Sequence, residues 1–494
     1  MHERKLAPYK HYLCGLLTVC LLFSMIPLLS SSAYAEALPT EISASTSSQQ
    51  LTDQKLTSAA ELLEYEAQMA FMAALHAWPA LDKLWPDTQY QSRLILLTNG
   101  EQTYEITTSG YKLVEPSNPG LPLELYFDSQ YKALDWNGKK AVAIFVDKDK
   151  PLQDRFEPHT STPISFIIAT HEMFHFYDQP SWPIVQDPNK NYSRSSIYPA
   201  EVKPRIQRAM LFQALYQAYT DPEATPMHLG HAAYWYQQYK QDNPTEYENS
   251  LYYDTIEGIA SYIDKMSVMY NALEGSASAQ QIRDFFTKQY QDINMNGFIT
   301  FDQESYLIGS WSAFLLDALN KDWKGLMTEG HTPIEQLLEG VTPIPQQADD
   351  KIIAEREATI AQFNTDLAIT LDPLKKALDD PNIPLLLIPP DIKRGAFGTT
   401  GFITLKGYEP GYVIMKMSTQ FSTSAGKLEL KERSMLRMLT YNETKKGDYL
   451  ITPLQADEYV RTDGTLTFDK NGLKGTVYVK PFKYNGREAY MVAP

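Results

Sequence analysis

The sequence predicts an α+β protein. Three observations carry that reading. Strand-like segments cluster between 90 and 150, helical spacing dominates from 162 to 380, and residues 401–494 return to short strands separated by turns. Strands and helices come in separate runs, which argues against a doubly wound parallel sheet. The chain has 494 residues, of which 43% are hydrophobic and 21% charged. That is enough apolar sequence for sizeable cores, in about three domains at roughly 150 residues each.

Residues 1–35 read as a secretory signal. Arg4, Lys5 and Lys10 precede an apolar run from Tyr12 to Leu29, and Ala33 and Ala35 supply the small pair before a cleavage point. An uncleaved N-terminal membrane anchor is the alternative, because the run is nearly long enough to span. The two cysteines, Cys14 and Cys20, both fall inside this segment. Cleavage near Ala35 leaves a secreted, cysteine-free chain. Residues 36–52, rich in Ser, Thr and Gln, read as a flexible tail.

The main domain is expected over 53–380. Apolar residues spaced three and four apart predict a helix over 53–78, and strands are predicted at 93–98, 103–107, 123–127 and 141–146. Asn137-Gly138 is a hairpin signal between the last two of these. Thr162 as N-cap and Pro163 at the first position predict a helix running to Gln179, stopped by Pro180. Further helices are predicted at 199–219, 226–241, 250–272, 278–290, 304–319 and 351–379. Pro381, Pro384, Pro389 and Pro390 predict a linker over 381–400. The β-rich C-terminal domain then spans 401–494, with turns at Asp463-Gly464, Asn471-Gly472 and Asn485-Gly486.

Lys and Arg number 44 against 60 Asp and Glu, a net charge of −16. Such a surface repels phosphate backbones and argues against nucleic acid as a partner. No glycine-rich phosphate loop or serine-hydrolase signature stands out, and the tyrosine-rich stretch 234–239 reads as helix packing.

The informative segment is His171-Glu172-Met173-Phe174-His175. Residues four apart on a helix share a face, with Cβ atoms about 5–6 Å apart, so both imidazoles can bind one tetrahedral ion. Glu172 follows the first of them, placed to reach a water on that ion without being a ligand. Neutral imidazoles leave the ion most of its charge, so the water's pKa falls toward about 7 and Glu172 can take its proton. A bare His-Glu-x-x-His arises by chance in about 1% of chains this long. Here the flanks are uncharged and carry their own start and stop signals. The bland alternative is a core helix with two incidental histidines, which would bury unpaired polar groups at a cost of kilocalories.

This segment resembles the zincin metallopeptidases. The continuation Phe176-Tyr177-Asp178-Gln179 departs from the metzincin pattern. The gluzincin, thermolysin-like branch takes a glutamate from a later helix, and Thr255-Ile256-Glu257-Gly258-Ile259-Ala260-Ser261-Tyr262 is similar to its Glu-Gly-x-Ala-x-Tyr helix. The resemblance covers roughly 140–320. It implies a zincin-like domain with Zn²⁺ on His171, His175 and Glu257, Glu172 as general base, and a peptide or protein substrate. It also implies an edge strand that pairs with extended substrate, expected at 141–146 or a neighbour. Gly258 would let two helices approach closely, and Ser261 could support a ligand histidine. Glu257 lies farther beyond His175 than in compact members of the branch, a gap that the helices at 199–219 and 226–241 would fill. Asp254, Glu248, Glu246 and Glu201 stand as alternative third ligands. An oxyanion donor is also needed. Tyr306 is the choice, with His228, His231, Tyr252, Tyr253 and Tyr262 as alternatives.

A second pattern, 292–303, resembles an EF-hand calcium loop. Asp292, Asn294 and Asn296 stand at the early ligand positions and Gly297 at the sharp sixth. Gln303 replaces the bidentate glutamate, and Glu304 comes one residue late, so any Ca²⁺ site is expected to be weak.

The sequence thus predicts a secreted zinc peptidase. The rival readings are a non-catalytic extracellular scaffold whose C-terminal β domain engages a cell-surface or envelope partner, and a zinc hydrolase of a non-peptide amide.

Overall fold

A computed structural model of the chain describes residues 58–115, 125, 128–186, 193–291, 293, 295, 297–395, 397–441 and 446–493. The signal segment 1–35 and the tail 36–52 lie outside the described residues. The fold is α+β, and no described helix is long and apolar enough to cross a membrane. The described chain divides into two compact units. One holds residues up to Pro373 together with Ile403–Glu409, and the other holds Leu374–Phe402 and Pro410–Pro494.

The first unit opens with helix α1, Ala59–Leu84, started by a capping box. The Ser58 hydroxyl accepts from the Glu61 backbone while the Glu61 carboxylate accepts from Ser58 N. A five-stranded sheet follows: β1 Leu94–Thr98, β2 Thr103–Thr107, β3 Gly110–Val114, β4 Tyr131–Trp136 and β5 Lys139–Phe145. Its order is β3-β2-β1-β5-β4, and only β1 and β5 run parallel. Asn137 and Gly138, at φ 50° and 77°, make the tight turn between β4 and β5. The strand before that turn is 131–136. The segment expected at 123–127 lies outside the described residues apart from Leu125. β5 is paired on both sides, so 141–146 cannot receive a substrate strand. Among the described residues the sheet has two edge strands, β3 and, on the other side beside β5, β4.

Helix α2, Ile164–Tyr177, carries the two histidines. Its N-cap is Pro163, with extended backbone, and not Thr162. The Thr162 hydroxyl instead accepts from Asn271 Nδ2 at 2.9 Å, so the tertiary partner takes the oxygen that a cap would need. Nearly all of α2 is buried, which requires anchors along its length. Trp78 Nε1 donates to Thr170 Oγ1 at 3.1 Å, and Tyr90 OH to the Thr170 carbonyl at 2.9 Å. Arg93 grips Asp178 at the C-terminal end with two nitrogens, at 2.6 and 2.7 Å. At the N-terminal end Ser165 donates to the buried Glu66, which also pairs with Arg155.

Strand β6, Ser196–Tyr198, pairs in parallel with residues 403–405. Helices α3 Val202–Thr220, α4 Thr225–Asp242, α5 Pro244–Ala272, α6 Ala279–Gln289 and α7 Phe301–Ala318 follow, within a few residues of expectation. The pair α3–α4 lies between His175 and Glu257 in the chain. Buried Arg205 and Arg208 on α3 tie it to Glu304 on α7, and Arg208 also reaches Asp254 on α5. Gly258 does allow a close helix approach, but toward α7. A Cβ on Gly258 would stand 2.4 Å from Gly309 Cα, and one on Gly309 would stand 1.9 Å from the Asp254 carbonyl oxygen. Helix α8, Asp350–Asp379, crosses the unit boundary at Pro373.

The second unit is built from antiparallel strands with one parallel pair. The stretch 381–400 is not a linker. It holds β7, Leu385–Ile388, fully buried between β12 (Lys446–Pro453) and β16 (Arg487–Val492), and the two-residue strand β8, Lys393–Arg394. The prolines bound the apolar run without interrupting it, so they punctuate a strand. β9, Gly401–Leu405, straddles the division between the units, and β10 (Tyr412–Thr423), β11 (Gly426–Tyr441), β13 (Tyr459–Thr462), β14 (Thr465–Lys470) and β15 (Leu473–Tyr484) complete the second. β11 also pairs with β15, so β15, β16, β7, β12 and β11 close into a ring around Leu386, Met417, Leu428, Met435 and Val477.

Gly309→Ala is expected to force α5 and α7 apart and to destabilise the first unit by about 2 kcal/mol or more. A Tm measured by calorimetry that matches the unmodified protein would refute this.

Candidate metal centre

α2 places His171 and His175 one turn apart, and α5 brings Glu257 onto them. His175 Nε2 lies 2.9 Å from His171 Nε2, and Glu257 Oε2 lies 3.1 Å from His175 Nε2 and 3.4 Å from His171 Nε2. The far side of each ring is committed. His171 Nδ1 faces Asp264 Oδ2 at 2.7 Å, and His175 Nδ1 faces Gln179 Oε1 at 2.6 Å. Gln179 Nε2 donates to the Ile256 carbonyl at 2.8 Å, which identifies the other end of that amide as the oxygen. Each Nδ1 therefore carries the ring proton, a tautomer assigned from its partner. Neutral rings then turn bare lone pairs toward one another and toward a carboxylate oxygen.

Three lone pairs at such distances repel unless a cation lies among them. Tetrahedral ligands about 2.0–2.1 Å from one zinc ion stand about 3.4 Å apart, so the donor set fits a small divalent ion. The titration behaviour makes the same demand for positive charge. Burial opposes a charge on His171, yet hydrogen bonds to Asp264 and Glu257 outweigh it and push the pKa up to about 10. Glu257 is buried, but Arg194 and His175 hold it well below the ordinary carboxylate range.

Glu172 behaves oppositely. Burial pushes its pKa up to about 7 against the pull of His175 and His171. A cation beside it would act as those rings do and lower it. Ligand atoms of Glu172, His171 and His175 lie within 4.8 Å of one another, a buried group able to hold a metal ion. Glu257 is the nearer carboxylate to both nitrogens, so Glu172 sits one step farther out. Its Oε2 is buried and has no hydrogen-bond partner among the described residues. Tyr131, at the start of edge strand β4, lies beside the same carboxylate and works against its upward shift.

Tyr306 stands over the site, its ring stacked on His171 at 5.9 Å and 17°. Arg194 Nη2 donates to its hydroxyl at 3.4 Å, and Arg194 Nη1 donates to Glu257 Oε1 at 2.7 Å. The alternatives are placed elsewhere. Asp254 pairs with Arg208, Glu246 with Arg205, and Glu201 and Glu248 are exposed. Tyr262 donates to Asp317, and Tyr253 lies beneath the Arg194 guanidinium. Tyr252 packs edge-on against Tyr253. His228 and His231 face each other on α4, rings 6.2 Å apart. Ser261 does not support a histidine: its hydroxyl accepts from Lys265, and the longer Asp264 reaches His171 instead.

Four residues of the centre escaped sequence reasoning. Asp264 lies seven residues beyond Glu257 and Gln179 four beyond His175, so helical spacing held a signal for both. Arg194 and Tyr131 sit in an extended segment and on an edge strand, where no spacing pointed to them. In the calcium pattern, Asp292, Asn294 and Asn296 lie outside the described residues. Gln303 is spent on the start of α7, accepting from Ile299 N and Thr300 N. Glu304 is buried on Arg205 and Arg208.

Comparison of the chain with protein-family models, curated proteins and solved structures returned no match.

Removing the oxygen behind either ring, by Asp264→Ala or Gln179→Ala, is expected to weaken divalent-ion binding about 10–100-fold with helix content unchanged. Chelator competition and circular dichroism check this. Unaltered affinity in both variants would show that these contacts do not set the rings.

Proposed function

We propose that the protein is an exported zinc-dependent peptidase with a zincin-like, gluzincin arrangement. The observation that supports this best is the meeting of His171 Nε2, His175 Nε2 and Glu257 Oε2 beside the buried carboxylate of Glu172. His171, His175 and Glu257 would hold zinc, which supplies a Lewis acid that makes water nucleophilic near neutral pH and polarises a carbonyl. Glu172 takes the proton of the attacking water on its unpartnered oxygen and passes it to the departing amine. Tyr131 keeps that carboxylate aimed. Tyr306 donates its hydroxyl hydrogen to the oxygen on which charge develops. The edge of β4, unpaired among the described residues, offers backbone N–H and C=O groups to an extended peptide, close to Glu172 through Tyr131. Export rests on the sequence of residues 1–35.

Zinc analysis and a peptide library test this together. Wild type is expected to carry one zinc per chain and to cleave peptides, and activity is expected to fall on chelation and return with zinc. Glu172→Gln is expected to keep its zinc and lose cleavage by at least about 100-fold. Zinc retained with no peptide cleaved by wild type would favour the scaffold reading. Cleavage confined to non-peptide amides would redirect the substrate class.

Tyr306→Phe is expected to lower kcat by about 10²–10³ with KM little changed, because the hydroxyl is used only as charge develops. An unchanged kcat would assign the oxyanion to another donor.

A further inference from the structure

We propose that Arg194 restricts Glu257 to one-oxygen coordination and so keeps a position on the ion open. This rests on the zinc reading above. The two oxygens of Glu257 have different partners. Oε2 faces both histidines, whereas Oε1 accepts a charge-assisted hydrogen bond from Arg194 Nη1 at 2.7 Å.

A carboxylate ligand can bind through one oxygen or two. Two-oxygen binding by Glu257 would add a fifth neighbour and crowd the position that a catalytic zinc site leaves for water and substrate. Turning Oε1 onto the ion would take it from a guanidinium that is itself held on three other sides. Arg194 lies over the Tyr253 ring at 4.9 Å, its Nε is 3.6 Å from Asp302 Oδ2, and its Nη2 is 3.4 Å from Tyr306 OH. The Arg194 side chain is 14% exposed and Glu257 is 4% exposed, so water is a poor substitute for either partner. Arg194 reaches the centre through Glu257 and is a positioning residue. The same guanidinium touches Tyr306, so the third donor and the proposed oxyanion donor share one support.

The test uses the full chain loaded with zinc or cobalt(II), as wild type, Arg194→Ala and Arg194→Lys. X-ray absorption at the metal counts its neighbours, and the visible spectrum of cobalt weakens when four-coordinate geometry becomes five-coordinate. Wild type and Arg194→Lys are expected to show four neighbours, and Arg194→Ala about five, with weaker cobalt absorption. Identical neighbour counts and spectra in wild type and Arg194→Ala would overturn the inference. If Arg194→Ala does not fold, a crystal structure of zinc-loaded wild type decides the matter: one Glu257 oxygen on the ion supports the inference and two overturn it. One-oxygen binding in a protein that cleaves nothing would sink the peptidase reading alone. Two-oxygen binding in an active peptidase would sink this inference alone, and a chain that binds no divalent ion would end both.

Discussion

Two imidazole nitrogens and a carboxylate oxygen converge in the protein interior with their lone pairs facing one another, and the helical unit is organised around that convergence. Left alone, these groups would turn apart or take up protons. They are kept in place from behind, by Asp264 and Gln179 on the rings and by Arg194 on the carboxylate. The helix bearing both rings is in turn fixed through its own backbone and flanks, by Tyr90, Trp78 and Arg93. A helix so thoroughly buried has little freedom to rotate, and a small rotation would separate the nitrogens.

The same arrangement separates two neighbouring glutamates electrostatically. Glu257 meets a guanidinium and an imidazole and stays ionised far below the usual range. Glu172 is pushed up to about 7 by burial, against the pull of the two imidazoles. Two carboxylates whose environments drive their pKa values apart are suited to different tasks, one as a permanent anion and one as a proton carrier. The close packing of α5 on α7 matters here as well. It rests on two glycines with almost no space between the backbones, and it sets Tyr306 against the ring of His171.

Much of this was legible in the chain. Helical spacing marked most helices to within a few residues, but the helix expected at 53–78 is Ala59–Leu84 and the one expected from 250 begins at Pro244. His171, Glu172 and His175 declared themselves by spacing on one helix, whereas Glu257 was marked only by a resemblance that left other carboxylates open. The prolines around 381–390 misled, because proline density looks the same whether it separates domains or frames a short buried strand. Thr162 misled as a cap because its hydroxyl is used by Asn271, 109 residues away. Ser261 was a poor guide to ring support because what mattered was the reach of the side chain.

The sequence alone determined most of the helices, the α+β class and three members of one local constellation, because periodicity and i, i+4 spacing are properties of neighbouring residues. Tertiary structure alone decided which carboxylate meets the rings, which strands lie at the sheet edges, and that Arg194 and Tyr131 belong to the centre. Those contacts join residues 41 to 112 positions apart. No local rule carries the orientation of one packed helix against another. That orientation is set when their surfaces close, here at Gly258 and Gly309, where only a missing side chain lets the backbones meet.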